Sequence, residues 1–446
     1  MLSLTKLLKS PRRNGILQRQ DEANSSQQIT RAVLNALTGG QAFRNINVRL
    51  WDGSLWPNHD PKPATLVLNR PSALREILLA GSETGVGEAY LDSAFDVEGD
   101  MEAAFELADQ IMKQTDGWTK KLEVGHLLKK LPQGSRPEID RRAHERLSGY
   151  RHSLERDRKA IDFHYNVSND FYALWLDKHM AYSCAYFQNP SEDLETAQQN
   201  KFDLICRKLG LRSGQRLLDI GCGWGGLIFH AAEHYGVHAD GITLSEQQLS
   251  HVQQAVREKG LGRQIALHLR DYREMPDEAG YDAISSVGMV EHVGRKKLPD
   301  YFGKALRLLK PGGLFLNHGI GLGPVPFPGE SGSFIQDHVF PDSELVSLGE
   351  MVEAAEKKGW EIRDVESLRE HYALTLRHWI RRLEAAHDRA LAFVNEPTYR
   401  VWRLYMAGCA HNFQVGRLSI YQTLLARISE NGTSRAVATR RDWYRK

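Results

Sequence analysis

"LLDIGCGWGGL", residues 217–227, sets four glycines, Gly221, Gly223, Gly225 and Gly226, between an apolar run and the apolar "GLIFHAAEHY". Such a stretch reads as a strand turning sharply into a helix, since glycine admits positive φ and lets backbone approach a ligand closely. From Gln215 onward, "RLLDIG", "HADGITL", "IALHLRD", "YDAISSVG" and "GLFLNHGI" are short apolar strand candidates. They alternate with the helical patterns "GLIFHAAEHY", "SEQQLSHVQQAVREK" and "PDYFGKALRLL". That alternation predicts βαβ units and a parallel sheet covered on both faces, an α/β fold. Beyond it, "YALTLRHWIRRLEAAHDRALAF" and "RVWRLYMAGCAHNFQVGRLSIYQTLLARI" read as long C-terminal helices.

The glycines satisfy G-x-G-x-x-G, so a dinucleotide-binding oxidoreductase is one reading, and a tight turn with no ligand is another. Asp219, two residues ahead of the first glycine, and the doubled Gly225-Gly226 favour a different ligand. A nucleoside with a charged amino-acid tail and no phosphate needs close backbone approach plus a carboxylate for its ammonium. That ligand is S-adenosylmethionine. The second strand ends in "GITLSEQQ", whose Thr243, Ser245, Glu246 and Gln248 can hydrogen-bond ribose hydroxyls. The third is followed by Asp271, for an adenine amine, and Tyr272, for packing on the ring. The candidate cofactor set is therefore Asp219, Gly221, Gly223, Gly225, Thr243, Leu244, Gln248, Asp271 and Tyr272.

Ahead of this region lies a separate small module, residues 28–112. "INVRLWDGSLW" and "ATLVLNR" alternate apolar and polar residues, with a turn at Asp52-Gly53. "PSALREILLA" has helical spacing with Pro71 in its first turn, and a second helix begins at "DMEAAFELADQIM" with Asp100 as N-cap. These elements are too few for a doubly wound sheet, so the module reads as small α+β. Residues 1–27 form a basic arm without acids in its first twenty positions, and 113–160 a basic, polar linker with helix near its end. Such runs are either solvated faces or surfaces drawn to an anionic partner.

The 446 residues, 41% apolar and 26% charged with net charge +2, describe an ordinary globular chain of two or three domains. No apolar run approaches the ~18 residues of a membrane helix, and no cleavable leader is evident, so a cytoplasmic chain is expected. The four cysteines, Cys184, Cys206, Cys222 and Cys409, lack metal-ligand spacing, so neither a metal site nor a disulfide framework is expected.

"HYNVSNDFYALWLDKHMAYSCAYF", "LLDIGCGWGGL", "SSVGMVEHVG" (285–294), "FLNHGIG" and "HVFPDSEL" follow in this order. Together they resemble the cyclopropane-fatty-acyl-phospholipid synthases, closely over residues ~160–430 and loosely before. The resemblance implies a Rossmann-like methyltransferase catalytic domain over 161–446 with helical C-terminal additions, and a lipid-engaging role for 28–112. It implies methylene transfer from S-adenosylmethionine to a cis double bond of a phospholipid acyl chain, through a carbocation deprotonated by bound bicarbonate. A dry pocket with few competing nucleophiles suits that chemistry. The bicarbonate ligands implied are Cys184, Glu291, His318, Ile320 through its backbone, and Tyr372. Cys409 is implied as catalytic, although Trp402, Tyr405, Cys409 and Phe413 share one helical face and also read as pocket lining. Tyr182 and Ser183 join the cofactor set.

Each has a plainer reading: Glu291 as a helix N-terminal acid, His318 as a core histidine, Cys184 as a small buried hydrophobe. Tyr182, Tyr186, Phe187 and Phe334 read either as acyl-tunnel walls whose π faces favour positive charge or as core. Val290 and His338 stand where the family commonly has aromatics, which bears on chain selectivity. The partner implied is unsaturated phospholipid in an anionic membrane, reached from the cytoplasmic face by peripheral association, with a homodimer compatible. The competing outcome is a methyl-branched or methylene product. An N-methyltransferase would need no N-terminal module. Nucleic-acid methylation would place an N/D-P-P-Y-like element after the fourth strand, where "VGMVEHVG" stands. A non-enzymatic lipid binder would need neither Asp219 nor Glu291.

Overall fold

The computed structural model describes residues 11–57, 60–80, 82–115, 117–134, 150, 152–165, 168–277, 280–327 and 334–444. Part of the basic arm and the whole of the cationic 135–149 stretch lie outside these. The chain divides into two compact units, 1–141 with 328–334, and 142–327 with 335–446.

The first unit holds a four-stranded sheet of β1 (Ile46–Arg49), β2 (Leu55–Trp56), β3 (Ala64–Leu68) and β4 (Phe95–Gly99), in the order β2-β1-β3-β4. The Asp52-Gly53 turn joins β1 to β2, with Gly53 at φ +83° and Leu50 N–H donating to the Ser54 carbonyl. The expected cap at Asp100 acts one residue early: its Oδ1 accepts the Glu102 N–H at 3.0 Å, ahead of the Glu102–Gln114 helix. Two features differ from the sequence reading. A 28-residue helix, Pro11–Thr38, runs across the expected boundary at 27. Within the stretch read as linker, Trp118–Lys129 is helical, because Val124, Leu128 and Leu131 recur at helical spacing and are buried among the lysines.

The second unit is built on a seven-stranded sheet. Its strands are β5 (Arg216–Ile220), β6 (His238–Thr243), β7 (Ile265–Leu269), β8 (Tyr281–Val287), β9 (Leu309–Leu322), β10 (Glu361–Ser367) and β11 (Leu418–Ala426). The order is β10-β11-β9-β8-β5-β6-β7, parallel from β9 to β7, with β11 antiparallel between β9 and β10. All five strands expected from the alternation are present. The reading of 400–428 as one helix is corrected. The helix Glu396–Gln414 ends at Gly416, φ +81°, and "LSIYQTLLA" is β11. Flanked on both sides and buried, that strand lacks strand alternation, and its polar Ser419, Gln422 and Thr423 fall at i, i+3 and i+4, the spacing of a helix.

The "CGWGG" turn works as its glycines suggest. Gly221 and Cys222 both donate to the Ile242 carbonyl at 3.0 Å, tying the end of β5 to β6. Gly225, φ +87°, precedes the Gly226–Tyr235 helix, and a Cβ there would lie 2.8 Å from Phe229 and 2.9 Å from Val252. Gly225→Ala is therefore expected to destabilise the second unit by about 1–3 kcal/mol, read as a lower calorimetric unfolding midpoint.

Candidate functional site

The chain leaves β5 towards β6 on one side, and β8 leads to β9 on the other, so the crevice above these two strands is the switch point where α/β folds bind ligands. A cavity opens there, lined by Tyr182, Ser183, Asp219, Gly221, Gly223, Thr243, Leu244, Gln248, Asp271 and Tyr272. Gly225 alone of the expected set does not line it and serves the turn.

Asp219 at the end of β5 is buried, and its Oδ1 accepts the Ser285 hydroxyl at 2.7 Å. Burial pushes its carboxyl up to about 6, against the opposing pull of Ser285 and of the Lys201 charge. Lys201, also buried, donates from Nζ to Ser183 Oγ at 2.9 Å, and burial pushes its ammonium down to about 8. One anion and one cation thus stand in a single dry crevice, the complement of a zwitterionic amino-acid tail. This charge pattern fits the methionine end of S-adenosylmethionine, with Asp219 for the ammonium and the Lys201–Ser183 pair for the carboxylate.

At the nucleoside end, of the four side chains expected from "TLSEQQ", only Thr243 and Gln248 line the cavity. Ser245 caps the Glu246–Glu258 helix through Gln248 N–H, and Glu246 is exposed. Thr243 donates its hydroxyl proton to Gln248 Oε1 at 2.8 Å. Asp271 is gripped by Arg273, Nε to Oδ1 and Nη2 to Oδ2, both at 2.7 Å, and Arg273 also reaches Asp157 at 2.8 Å. A carboxylate has about four acceptor positions, so Asp271 keeps capacity for an amine.

A second cavity adjoins the first. Tyr182, Ser183, Val287, Gly288 and His292 line both. Its wall contains all six residues expected to be catalytic: Cys184, Glu291, His318, Ile320, Tyr372 and Cys409. Glu291 follows β8 in a short 3-10 turn, Val290–His292. β9 outruns β8 here, and its free edge is satisfied piecemeal. The His318 carbonyl accepts Gly288 N–H at 2.8 Å, Ile320 N–H donates to Glu291 Oε1 at 2.6 Å, and Leu322 N–H donates to the Val346 carbonyl at 2.9 Å. Burial pushes the Glu291 carboxyl up to about 7, and its Oε2 has no hydrogen-bond partner among the described residues. His318 Nε2 is likewise buried and unpartnered, and burial holds the ring neutral. The Cys184 thiol donates to the carbonyls of Ala185 and Leu368 at 3.3 and 3.8 Å, and burial pushes its pKa up, so it stays protonated.

The remaining wall is apolar: Ile335, Phe340, Leu376, Tyr405, Phe413 and Leu418 among others. Tyr405, Cys409 and Phe413 face it from one side of their helix, whereas Trp402 packs with Tyr172, Trp175 and Tyr182 at 5.4–6.1 Å between ring centres. Of the four aromatics read as tunnel walls, only Tyr182 lines the cavity. Tyr186 stacks on His371 at 4.8 Å, Phe187 on His378 at 5.6 Å, and Phe334 packs on Gly87 in the first unit. Lys201 was not anticipated, although Ala197, Gln198, Lys201, Phe202 and Ile205 mark the buried stripe of one helix with a lysine on it.

The chain's residues 152–423 match the family described as mycolic acid cyclopropane synthetase. It is 39% identical over 403 residues to a probable fatty acid methyltransferase of Pseudomonas putida, covering 90% of this chain and 96% of the relative. It is 32% identical to the cyclopropane-fatty-acyl-phospholipid synthase of Escherichia coli K12, covering 83% and 90%. The crystal structure of mycolic acid cyclopropane synthase CmaA1 complexed with SAH and CTAB superposes with TM-score 0.57 at 35% identity, covering 60% of this chain and 98% of that one.

Asp219→Asn is expected to weaken S-adenosylmethionine binding by roughly 10- to 100-fold in calorimetric titration, the worth of a hydrogen bond to a charged group. In the wild type Asp219, whose pKa is about 6, is set against the ligand's ammonium and Lys201, whose pKa is about 8, against its carboxylate. Affinity should therefore be highest between about pH 7 and 8, fall about tenfold per unit well below 6 and weaken again above 8; Asp219→Asn should lack the acid limb.

Proposed function

The chain belongs to the mycolic acid cyclopropane synthetase family and is an S-adenosylmethionine-dependent methyltransferase, and from that premise we propose that it converts the cis double bond of phospholipid acyl chains to cyclopropane. The observation that carries the reading is the common wall. The crevice suited to the cofactor meets a second, apolar cavity at Tyr182, Ser183, Val287, Gly288 and His292, and the wall of that cavity includes Glu291 Oε2 and His318 Nε2, buried and without a hydrogen-bond partner among the described residues.

Bound S-adenosylmethionine supplies an electrophilic sulfonium methyl. Bicarbonate supplies a base with little tendency to trap a carbocation. Glu291, His318, Cys184, Tyr372 and the edge of β9 at Ile320 would hold it. Glu291 Oε1 is fixed by the Ile320 N–H, which leaves Oε2 to accept, and a carboxylate can approach another acidic oxygen only with a proton between them. The Cys184 thiol, kept protonated by burial, is a weak donor rather than a nucleophile. Tyr182, Tyr372, Tyr405 and Phe413 turn aromatic surface to the cavity, which favours passing positive charge and excludes water. The apolar remainder suits an alkyl chain.

Similarity to the probable fatty acid methyltransferase of P. putida supports a second reading, in which methyl transfer ends in a methyl-branched or methylene chain. Both start from the same double bond and the same carbocation: losing a proton gives the ring or a methylene chain, whereas a saturated methyl branch requires hydride from a separate reductant.

A bilayer substrate calls for a docking face. No helix among the described residues is long and apolar enough to cross a membrane. On the Trp118–Lys129 helix, Trp118 and Leu122 stand one turn apart, 76% and 59% exposed, beside Lys120 and Lys121. An exposed tryptophan among lysines suits the interface of an anionic bilayer, each cation adding about 1 kcal/mol near the surface. The inner leaflet met from the cytoplasm is such a surface, and a homodimer would present two such helices.

With vesicles of monounsaturated phospholipid and methyl-labelled cofactor, mass spectrometry should find one added CH₂ per modified chain, resistant to hydrogenation as a ring is and a methylene is not. Glu291→Ala should lower turnover about 10²- to 10⁴-fold, the scale of lost proton-transfer catalysis, and removal of dissolved CO₂ should slow the wild type. Full turnover in CO₂-free buffer would defeat the bicarbonate assignment. Separately, Trp118→Ala with Leu122→Ala should weaken co-sedimentation with anionic vesicles by roughly tenfold, and unchanged partitioning would remove this helix from the docking face.

A further inference from the structure

Behind His318 runs a buried polar line that ends outside both cavities. Gln422 on β11 is paired with His318 on β9 in the antiparallel ladder. Lys208, near the end of the Leu194–Lys208 helix, completes the line, and all three residues are 1% exposed. Lys208 Nζ donates to Gln422 Oε1 at 2.9 Å. An ammonium has no acceptor, so the amide oxygen must face it and the amide nitrogen must face the other way. There Gln422 Nε2 lies 3.4 Å from His318 Nδ1. An amide nitrogen only donates, so Nδ1 is the acceptor, and the single proton of the neutral ring sits on Nε2.

Lys208 is fixed in turn. It pairs with Glu366 and stands 3.7 Å from Asp364, which also pairs with Arg440, and the Trp443 ring centre lies 5.8 Å from its Nζ. The ammonium cannot turn away from the amide without abandoning two carboxylates.

We infer that Lys208 and Gln422 are positioning residues that lock His318 in the Nε2–H tautomer, so that the ring presents a hydrogen-bond donor to the second cavity. Neither residue lines that cavity. Opposite in function stands Glu291 Oε2, an acceptor. The cavity then offers one donor and one acceptor, the pattern that takes an oxyanion carrying its own hydroxyl. The identity of that oxyanion rests on the proposed function; the tautomer does not.

The test is long-range ¹H–¹⁵N correlation on the full chain labelled at histidine, near neutral pH. The chain has 18 histidines, so the His318 ring is assigned by its disappearance in His318→Asn. The wild type should show the Nε2–H pattern. Gln422→Glu places an acceptor against Nδ1 while keeping Lys208 paired, and should move the proton to Nδ1, with turnover falling at least about tenfold and S-adenosylmethionine affinity unchanged. Lys208→Met, which frees the amide to rotate, should give a mixture of the two tautomers. An Nδ1–H pattern in the wild type overturns the inference, and so does an unchanged pattern in Gln422→Glu that still binds the cofactor. Should both variants fail to fold, the wild-type spectrum decides alone. An Nε2–H ring in an enzyme indifferent to dissolved CO₂ would leave the tautomer standing and remove bicarbonate.

Discussion

A single backbone donor, the N–H of Ile320, decides where the buried carboxylate of this protein can sit. β9 runs past the end of β8, so its edge would otherwise leave an unpaired N–H in a dry interior, at a cost of about 1–3 kcal/mol. Glu291 takes that donor at 2.6 Å and thereby gains the hydrogen bond that makes its own burial tolerable. The strand overhang and the acid are thus mutually required. The rest of the arrangement follows from strand geometry. His318 and Ile320 are two residues apart, so they share one face of β9, and the antiparallel register with β11 sets Gln422 beside His318. A parallel neighbour at that position would have slanted hydrogen bonds and a different pairing, so the inserted antiparallel β11 is part of how the polar line is built.

The two cavities differ in how they handle charge. In the cofactor crevice, Asp219 and Lys201 are both buried, and burial weakens the charged form of each. A zwitterionic ligand compensates both at once, which makes the crevice selective for a molecule bearing the two charges at one end. In the second cavity no cation faces Glu291 among its lining residues. Its carboxyl is raised to about 7 by desolvation, opposed only by backbone donors. Such a site favours a ligand that brings a proton to share over one that brings a bare negative charge.

Much of this was legible in the sequence. Gly221, Gly223 and Asp219 mark a strand-to-helix turn with a carboxylate at its base, and "VEH" after an apolar strand marks a polar group where a core would have none. The five parallel strands were legible because each is a short apolar run separated by a helix-period segment. What escaped was written in a period shared by two structures or in residues whose role depends on distant neighbours. β11 is buried and its Ser419, Gln422 and Thr423 fall at helical spacing, so it matched a helix as well as a strand, while β10, "EIRDVES", is a partly polar edge. Lys201 looked like any surface lysine until its helix face was known. Tyr186 and Phe187 follow Cys184 closely in sequence, but they stack on His371 and His378 instead of lining the second cavity.

The proposed chemistry puts an unusual demand on a polar site, for it must bind a base and yet contain nothing that can attack a carbocation. Cys184 is buried with its thiol raised, Cys409 is buried on a helix face with Tyr405 and Phe413, and Glu291 has one oxygen pinned to the backbone. A pinned carboxylate cannot swing to close an ester with a neighbouring carbon, whereas an exposed, rotatable one could. Immobility therefore serves the reaction as much as acidity does. The same logic extends behind the wall: a histidine whose proton is fixed from outside the cavity cannot turn a basic nitrogen towards the cation. On this view the buried Lys208–Gln422 pair guards against a side reaction, and its expense in desolvation is met by the two carboxylates that hold it.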